Sequence, residues 1–509
     1  MASARTPERF FTRDSIAVLA LLCVFVASRL WFAHAGGAYV ASPLASAKQF
    51  LDVNLLQHDL LRSLWFLHAQ PPLFNLFLGL VLKIASSPEL IFELCFRLSG
   101  ALVPLFMYGT LSLLGVNRVA AFVSTVCFML NPSLFLYESL LYYTHVEGVL
   151  IMAAAFFLAR WGLRTRAADL AVFWFVLACL GLTRSLFHPI FFVVLALLMG
   201  LFVWCQNRPV RPFAVAAGLV LLVLGAWCLK NLIIFGFFGT SSWGGMSLWT
   251  KANGYAPDQL EKFHVRGLVS AVALRAELLP FQPIGNFTSD NLLTIDACHH
   301  PADCCELRPE GYPNFNHIGY VALSRQLGHD ALQLIRHDPE TFWLNTAGAF
   351  SLTLWYASDS VHALFADNLA VLKPLEQLYR YLFFGFLGVQ NRHSDPRLWV
   401  RTVCVSALFG VLYILTIVQV LRRQKSRERY ATVLVCLFCM LAHVFVLLVS
   451  SFIEFGENPR FRFPVDGAFF MIAALILLPR RRQQDECYED EVLCGPARML
   501  RGGANGNAL

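Results

Sequence analysis

The chain has 509 residues, of which 57% are hydrophobic and only 14% are charged, whereas an average soluble domain carries about 25% charged side chains. This composition excludes a water-soluble enzyme and predicts a helical membrane protein with several spans. The formal net charge of +7 requires no nucleic-acid partner, because the basic clusters border apolar runs and have the pattern of cytoplasmic anchors.

The N-terminal part of the chain begins with a short basic segment, residues 1–14, that we assign to the cytoplasm. The apolar run 15–34 predicts an uncleaved first span. Residues 35–71 form a first outer loop, in which stretch 46–66 has apolar residues at helical spacing and predicts an amphipathic helix on the membrane surface. The other apolar runs that predict spans are, in chain order, 72–86, 94–114, 119–137, 146–161, 169–183, 189–205, 213–230, 342–357, 375–390, 401–421, 431–452 and 464–479.

Arginine-rich turns predict which ends of the spans face the cytoplasm. A cytoplasmic N-terminus and a cytoplasmic turn at 160–166 require an even number of crossings between them. Five candidate spans lie there, so either 72–86 or 119–137 is expected to be re-entrant or interfacial. The remaining cytoplasmic clusters lie at 208–211, 422–429 and 480–482.

We therefore predict an all-α polytopic membrane protein with about 11–13 transmembrane helices, interfacial helices and a small outer-face loop subdomain. Its predicted parts are a cytoplasmic N-terminus (1–14), an N-terminal transmembrane module (15–230), a large outer loop (231–341), C-terminal transmembrane helices (342–480) and a disordered cytoplasmic tail (481–509).

Two carboxylates in the first outer loop are candidates for general-base chemistry. Asp52 and Asp59 are seven residues apart, which places them on one face of a helix. A carboxylate at the membrane surface is suited to activating an acceptor hydroxyl or amine. The alternative is that both belong to the polar face of an interfacial helix.

The next candidates precede two prolines that fix the entry into the following helix. His68 and Gln70 stand just before Pro71 and Pro72. At that position they are suited to donating hydrogen bonds to a phosphate or a sugar. Helix entry alone also explains the prolines.

Ionisable residues in or beside the apolar runs form a further group of candidates, since such groups are costly in a membrane unless they face a cavity or a partner. Glu138, His145 and Glu147 lie at the start of one run, where structural ion pairing is the alternative. Arg184 and His188 occupy an outer turn. A cation there opposes the positive-inside trend, which favours an anionic ligand.

Three more cations have the same outward position. Lys230 closes an apolar helix before the glycine- and serine-rich segment 235–246, whose backbone amides are able to approach a phosphate or sugar closely. Arg460 and Arg462 follow Glu457 at the outer end of the last span. Arginine suits phosphate recognition, and pairing with nearby glutamates is the alternative.

A cysteine cluster lies in the large outer loop. Cys298, Cys304 and Cys305 have a spacing that fits no common zinc framework. In an oxidising compartment we expect one disulfide with one cysteine left over.

The order of these motifs resembles that of the GT-C membrane glycosyltransferases, in the branch of protein O-mannosyltransferases, the aminoarabinose transferase of lipid A and related lipopolysaccharide sugar transferases. The motifs are an acidic first outer loop, His-x-Gln-Pro-Pro-Leu, Asn-Pro…Tyr-Glu…Glu, Lys-Asn…Phe-Gly…Ser-Ser-Trp-Gly-Gly and Glu-Asn-Pro-Arg-Phe-Arg-Phe-Pro, spread over residues 15–480.

The resemblance implies transfer of a sugar from a polyprenyl-phosphate carrier, dolichyl or undecaprenyl, to a lipid, glycan or protein acceptor. It implies an active site on the periplasmic or lumenal side of a bacterial inner membrane or the endoplasmic reticulum, in contact with membrane lipids. It assigns the base to Asp52 first and Asp59 second, a second carboxylate to Glu147, and the carrier phosphate to the neighbourhood of Gln70 and His68. It leaves room for a divalent metal ion without assigning ligands to one.

A lipid-phosphate leaving group needs cations, so Arg184, Lys230, Arg460 and Arg462 are expected to stabilise it. A base on the opposite side of the sugar predicts inversion at the anomeric carbon. The competing hypothesis is a multi-pass transporter or lipid flippase, because intramembrane ionisable groups also serve substrate paths. A third is a scaffold that retains the fold without catalysis.

Overall fold

A computed structural model of the protein describes residues 8–276, 279–288, 293, 295–355, 362–384, 386–388, 398–454 and 456–481. Within these ranges it contains α-helices and no strand, which confirms the predicted all-α class. Most of the predicted C-terminal tail, residues 482–509, lies outside the described residues, as do residues 1–7 of the predicted cytoplasmic N-terminus.

The helices follow the predicted apolar runs closely, with short helices added in the loops. The first twelve are α1 (Glu8–His34), α2 (Pro43–Ser46), α3 (Val53–His58), α4 (Leu60–Trp65), α5 (Leu73–Ile84), α6 (Pro88–Leu113), α7 (Arg118–Met129), α8 (Pro132–Glu138), α9 (Tyr143–Arg164), α10 (Ala167–Thr183), α11 (Pro189–Cys205) and α12 (Arg211–Phe235). The large loop adds α13 (Gly244–Ala252), α14 (Pro257–Val265), α15 (Ala271–Ala276), α16 (Gly285–Thr288), α17 (Pro301–Cys304) and α18 (Gly319–His337). The last five are α19 (Pro339–Trp355), α20 (His362–Leu382), α21 (Leu398–Leu421), α22 (Arg427–Ile453) and α23 (Asn458–Leu477).

Among the described residues, six helices are long and apolar enough to cross a membrane, namely α1, α6, α9, α12, α21 and α22. A seventh candidate span is the pair α7 and α8, which is bent by 58°. The bend occurs at Asn131, whose side chain caps α8 by accepting from the backbone N–H of Leu134 at 2.8 Å, just before a proline that cannot continue a helix. With the shorter apolar helices α5, α10 and α11, the chain has the helices of a multi-pass membrane protein.

Contacts define one end of the helix bundle, which we call the basic end. Near the start of α1, Asp14 pairs with Arg118 at the start of α7, at 3.0 Å. At the start of α22, Glu428 pairs with Arg480 beyond the end of α23, at 3.2 Å. The backbone N–H of Asn117 donates to the carbonyl of Pro479 at 2.8 Å, so the first part of α1 and two of the predicted cytoplasmic arginine clusters lie at the same end.

The opposite end, which we call the loop end, holds the first loop and the large loop together. The backbone N–H of Val40 donates to the carbonyl of Ser139 at 2.8 Å. The backbone N–H of Ser242 donates to the carbonyl of His68 at 3.0 Å, and the guanidinium of Arg308 donates to the carbonyl of Ala45 at 2.8 Å. These bonds join the first loop to the α8–α9 turn and to the large loop.

The structure indicates which of the two weak segments fails to cross. Helix α6 runs to the basic end, where the carbonyl of Leu114 accepts from Arg480, so its first turn lies at the loop end. Helix α5 connects the first loop to that turn, and Phe77 in α5 packs on Phe92 near the start of α6. Its 12 residues extend about 18 Å, too little for a hydrocarbon core of about 30 Å. Helix α5 therefore returns to the loop end, which leaves α1, α6, the α7–α8 pair and α9 as an even number of crossings.

The predicted amphipathic helix 46–66 is divided in the structure. Asp52 caps α3, where its Oδ1 accepts from the backbone N–H of Leu55 at 3.0 Å. Asp59 leaves helical geometry, with φ −133° and ψ 49°, and separates α3 from α4. Short aspartate side chains that bond to nearby backbone groups favour helix ends over helix interiors.

The predicted disulfide is present in the large loop. Cys298 bonds to Cys304, and Cys305 is a free, exposed thiol. The expectation of one disulfide with one cysteine left over is confirmed.

Candidate functional site

A cavity of about 1040 Å³ lies at the loop end. Its lining includes Lys48, Gln49 and Gln70 of the first loop, the turn after α10, residues of the segment 238–254 and the α22–α23 connection up to Phe461. Separate parts of the chain thus meet around one space, and three of the six residues predicted to bind the donor line it, namely Gln70, Arg184 and Arg460.

Arg184 forms one wall of the cavity. It ends α10 and is only 2% exposed, with its guanidinium 4.1 Å from the ring centroid of Phe461 and 5.0 Å from that of Tyr143. Its Nη1 donates to Oε2 of Glu147, behind it in the first turns of α9, at 3.1 Å. Among the described residues, no group accepts from its Nη2. A buried guanidinium N–H beside a cavity is a donor available to a ligand.

Arg460 lies beside Arg184 on the first turn of α23. It is 2% exposed, pairs with Glu457, and donates from Nη1 to the hydroxyl of Tyr143 at 3.4 Å. Its Nε has no acceptor within the described part of the chain. Both arginines therefore contact Tyr143 and present an unused donor.

Lys48 adds a third cation to the lining. Its Nζ lies 4.9 Å from the ring centroid of Phe281. Burial lowers the pKa of Lys48, the charge of Glu454 opposes this shift, and the charge of Arg460 adds to it. The ammonium therefore interacts with both Arg460 and a carboxylate of the α22–α23 connection.

Gln70 and the glycine- and serine-rich segment form the polar wall next to these cations. Oε1 of Gln70 accepts from the hydroxyl of Ser185 at 3.0 Å. The hydroxyl of Ser241 donates to the carbonyl of Ala69 at 2.6 Å, which fixes the segment against the first loop. Gly239, Thr240 and Gly244 complete this wall, as expected for a segment that exposes its backbone.

The rest of the cavity lining consists of a histidine, two carboxylates and an apolar side. His188 caps α11 and is exposed to the cavity, where its Nδ1 accepts from the backbone N–H of Ile190 at 3.4 Å. Glu454 and Glu457 line the wall near Lys48 and Arg460. The apolar side consists of residues on α11 and α22, which are apolar helices of the bundle: Ile190, Phe445, Val449 and Ile453.

The two aspartates predicted as bases lie elsewhere. Asp52 lines a second cavity of about 350 Å³ together with Arg308. Oδ2 of Asp59 lies 2.9 Å from Nε2 of His300. Neither aspartate lines the cavity that holds Arg184 and Arg460.

Glu138 and His145 belong to a buried network between the helices. Glu138 pairs with Arg29 at 2.6 Å and with Arg97 at 3.0 Å. His145 contacts the hydroxyl of Ser99 at 3.1 Å. These contacts favour the structural alternative for both residues.

Three other predicted donor-binding residues also have protein partners. Nδ1 of His68 contacts the Ser242 hydroxyl at 2.9 Å, and burial lowers the pKa of His68 to about 3. Nζ of Lys230 donates to two backbone carbonyls that precede His68, at 2.7 and 3.2 Å. Arg462 pairs with Asp466 at 2.8 Å. These three side chains bond to other groups of the protein and do not line the cavity.

Sequence reasoning missed Lys48, Tyr143 and Glu454 as members of the lining. Tyr143 lies four residues before Glu147, which was itself a candidate, so this spacing on one helix was the available signal. Lys48 is an isolated cation in the outer loop, on the side where cations are unfavoured. No local pattern indicates that Glu454 faces Lys48, because the two are about four hundred residues apart in sequence.

No group of three or more His, Cys, Asp or Glu side chains is arranged to hold a metal ion in the part of the chain that the structure describes. We assign no residues to a metal.

The helices α13 and α18 are in close contact next to the glycine- and serine-rich segment, and this contact gives a prediction with a matched control. A Cβ on Gly245 would lie 1.8 Å from the carbonyl oxygen of Ser324, whereas a Cβ on the adjacent Gly244 would meet nothing within 4 Å. We expect Gly245→Ala to destabilise the protein by roughly 1–3 kcal/mol and Gly244→Ala to have little effect. Thermal unfolding of both variants in detergent checks this, and equal midpoints would contradict the close approach.

Comparison of the chain with family models, curated proteins and solved structures gives no match.

Proposed function

We propose that the protein is a membrane glycosyltransferase that takes a sugar from a polyprenyl-phosphate carrier and transfers it to a lipid, glycan or protein acceptor. The observation that carries this proposal is the pair of buried arginines, Arg184 and Arg460, each with an unused N–H at one large cavity. Guanidinium donors in a buried site are the preferred partners of phosphate oxygens.

The apolar side of the cavity supports a lipid-linked donor. Ile190 and Ile453 are exposed, and they stand at the loop ends of α11 and α22, beside the polar wall. A lipid phosphate placed between Arg184 and Arg460 has an apolar surface next to it for its first isoprene units. A cavity of about 1040 Å³ also has room for a sugar, since ligand sites for small molecules measure about 300–1,000 Å³.

The charge distribution supports our proposal for the side of the membrane on which the cavity lies. Arginine clusters mark the cytoplasmic ends of spans, and Arg118 and Arg480 lie at the basic end. The cavity is at the opposite end. We therefore assign it to the periplasmic or lumenal side of a bacterial inner membrane or the endoplasmic reticulum.

In this proposal the cations of the cavity stabilise the departing lipid phosphate. Charge develops on the phosphate oxygen as the bond to the anomeric carbon breaks, and fixed donors in a site shielded from water act most strongly on such charge. Glu147 holds Arg184 in place, and Glu457 does the same for Arg460. Gln70 and the segment 239–244 are positioned to bind the sugar hydroxyls.

The test is a transfer assay with purified protein in liposomes. The donors are polyprenyl phosphates carrying a radiolabelled hexose or pentose, and the acceptors are lipid A, a glycolipid mixture and serine-containing peptides. The proposal predicts that label moves from the carrier to one acceptor class or to water. Movement of intact donor across the bilayer without release of the sugar would instead support a flippase and contradict the proposal.

A further inference from the structure

The proposed transfer requires a proton acceptor for the attacking hydroxyl, and this inference rests on that proposed function. The first-loop carboxylates do not line the donor cavity, because Asp52 faces the second cavity and Asp59 pairs with His300. Glu147 is buried behind Arg184. Within the described residues, the carboxylates that line the donor cavity are Glu454 and Glu457.

Glu457 is poorly placed for this task. Its carboxylate pairs with Arg460, which is one of the two guanidinium groups proposed to bind the leaving phosphate. A carboxylate that is held by this arginine is not available to the hydroxyl of an acceptor, so the candidate for the base is the other lining carboxylate, Glu454.

Glu454 is held in a defined position at the end of α22. Its backbone N–H donates to the carbonyl of Ser450 at 3.2 Å. Its own carbonyl accepts from the side-chain amide of Asn458 at 3.0 Å and from Nζ of Lys251 at 3.5 Å. The backbone of the residue is therefore fixed from three directions, as a positioned base requires.

Two lysines interact with the charge of Glu454. Burial lowers the pKa of Lys48 and lowers that of Lys251 to about 7, and the charge of Glu454 raises both. Nζ of Lys251 also donates to the main-chain carbonyl of Glu454 at 3.5 Å. A carboxylate at the cavity wall is a group that can accept the proton of a hydroxyl in general-base catalysis.

We infer that Glu454 is the general base of the sugar transfer. The acceptor O–H gives its proton to the Glu454 carboxylate while the acceptor oxygen forms a bond to the anomeric carbon. The bond from that carbon to the phosphate oxygen breaks, and the lipid phosphate leaves with the electron pair. Nothing is oxidised or reduced, and the proton later passes to water.

Azide distinguishes a base from a residue that only shapes the cavity, because azide attacks as an anion and needs no proton acceptor. The assay follows release of sugar to water and formation of glycosyl azide from the same labelled polyprenyl-phosphate donor. For Glu454→Ala we expect release to water to fall by about 100-fold or more. Formation of glycosyl azide should remain close to the wild-type rate.

Glu454→Gln keeps the size of the side chain and should show the same pattern if the alanine variant folds poorly. Glu340→Ala, an exposed carboxylate at the start of α19, is the matched control and should leave both rates unchanged. Equal loss with water and azide in both Glu454 variants would overturn the inference, as would full activity with water. If wild-type protein transfers to neither nucleophile, the proposed function itself fails.

Discussion

Replacing Arg460 by glutamine is expected to weaken binding of a polyprenyl phosphate by about 10- to 100-fold, because hydrogen bonds to a charged group contribute roughly 1.5–3 kcal/mol. The variant removes the charge and the Nε donor that faces the cavity. A short-chain probe such as radiolabelled farnesyl phosphate, titrated against purified protein in nanodiscs, gives the affinity directly.

Arg460 is the better choice for this test than Arg184, because the partner it leaves behind is partly exposed. Glu457 has 31% of its side chain exposed and can be hydrated, whereas Glu147 would remain buried beside a missing Arg184. Arg184 is best replaced together with its partner, as Arg184→Gln with Glu147→Gln. The combined variant should lose affinity by a similar factor.

The control is Arg480→Gln at the basic end, where the arginine pairs with Glu428 in a largely exposed site. It lowers the net charge by the same amount and should leave affinity for farnesyl phosphate unchanged. Equal weakening in Arg460→Gln and Arg480→Gln would show that binding follows overall charge, and the cavity would lose its assignment as the phosphate site.

Replacing Glu138 by alanine is expected to destabilise the protein by about 3–5 kcal/mol, the usual cost of breaking a buried ion pair. Glu138 is 0% exposed and accepts from Arg29 at 2.6 Å and from Arg97 at 3.0 Å. Without it, the Arg29 guanidinium stays buried on α1 with no carboxylate. The midpoint of thermal unfolding in detergent should fall by several degrees.

Glu93 provides the comparison for this prediction. It pairs with Arg97 at 3.5 Å through a side chain that is 41% exposed, and exposed pairs contribute about 0–1 kcal/mol. Glu93→Gln should therefore leave the midpoint nearly unchanged. A similar small shift for Glu138→Ala would mean that water or lipid headgroups reach Arg29, and the network would not be the clamp between α1, α6 and α8.

The helices could be predicted from the sequence because hydrophobic length is a local property. The runs 189–205 and 431–452 correspond to α11 and α22, and their ends are fixed by capping residues and prolines at those positions. The path of segment 72–86 could not be predicted. Its return to the loop end depends on the packing of α5 on α6. No local sequence pattern predicts such a contact between two helices.

The predicted outward position of a cation identified only some of the residues that line the cavity. Arg184 and Arg460 lie together in the cavity, whereas Lys230 and Arg462 stand on the same side of the protein and pair inside it. Composition and charge placement do not distinguish the two groups. The difference lies in whether the side chain lines the cavity, and that is a property of the tertiary structure.

The assignment of a base shows the same limit. The resemblance assigned the base to Asp52 first, but one oxygen of Asp52 caps α3, and the residue lines the second cavity. Glu454 and Lys48 interact although they come from two distant parts of the chain. A sequence pattern within one loop carries no information about an interaction between such distant residues.

The most direct measurement for the account is a structure of the protein in nanodiscs with a bound polyprenyl-phosphate sugar. We expect the phosphate oxygens within about 3 Å of Nη2 of Arg184 and Nε of Arg460, with the first isoprene units against Ile190 and Val449. Donor density in the second cavity beside Asp52, or at the basic end, would contradict the proposed site.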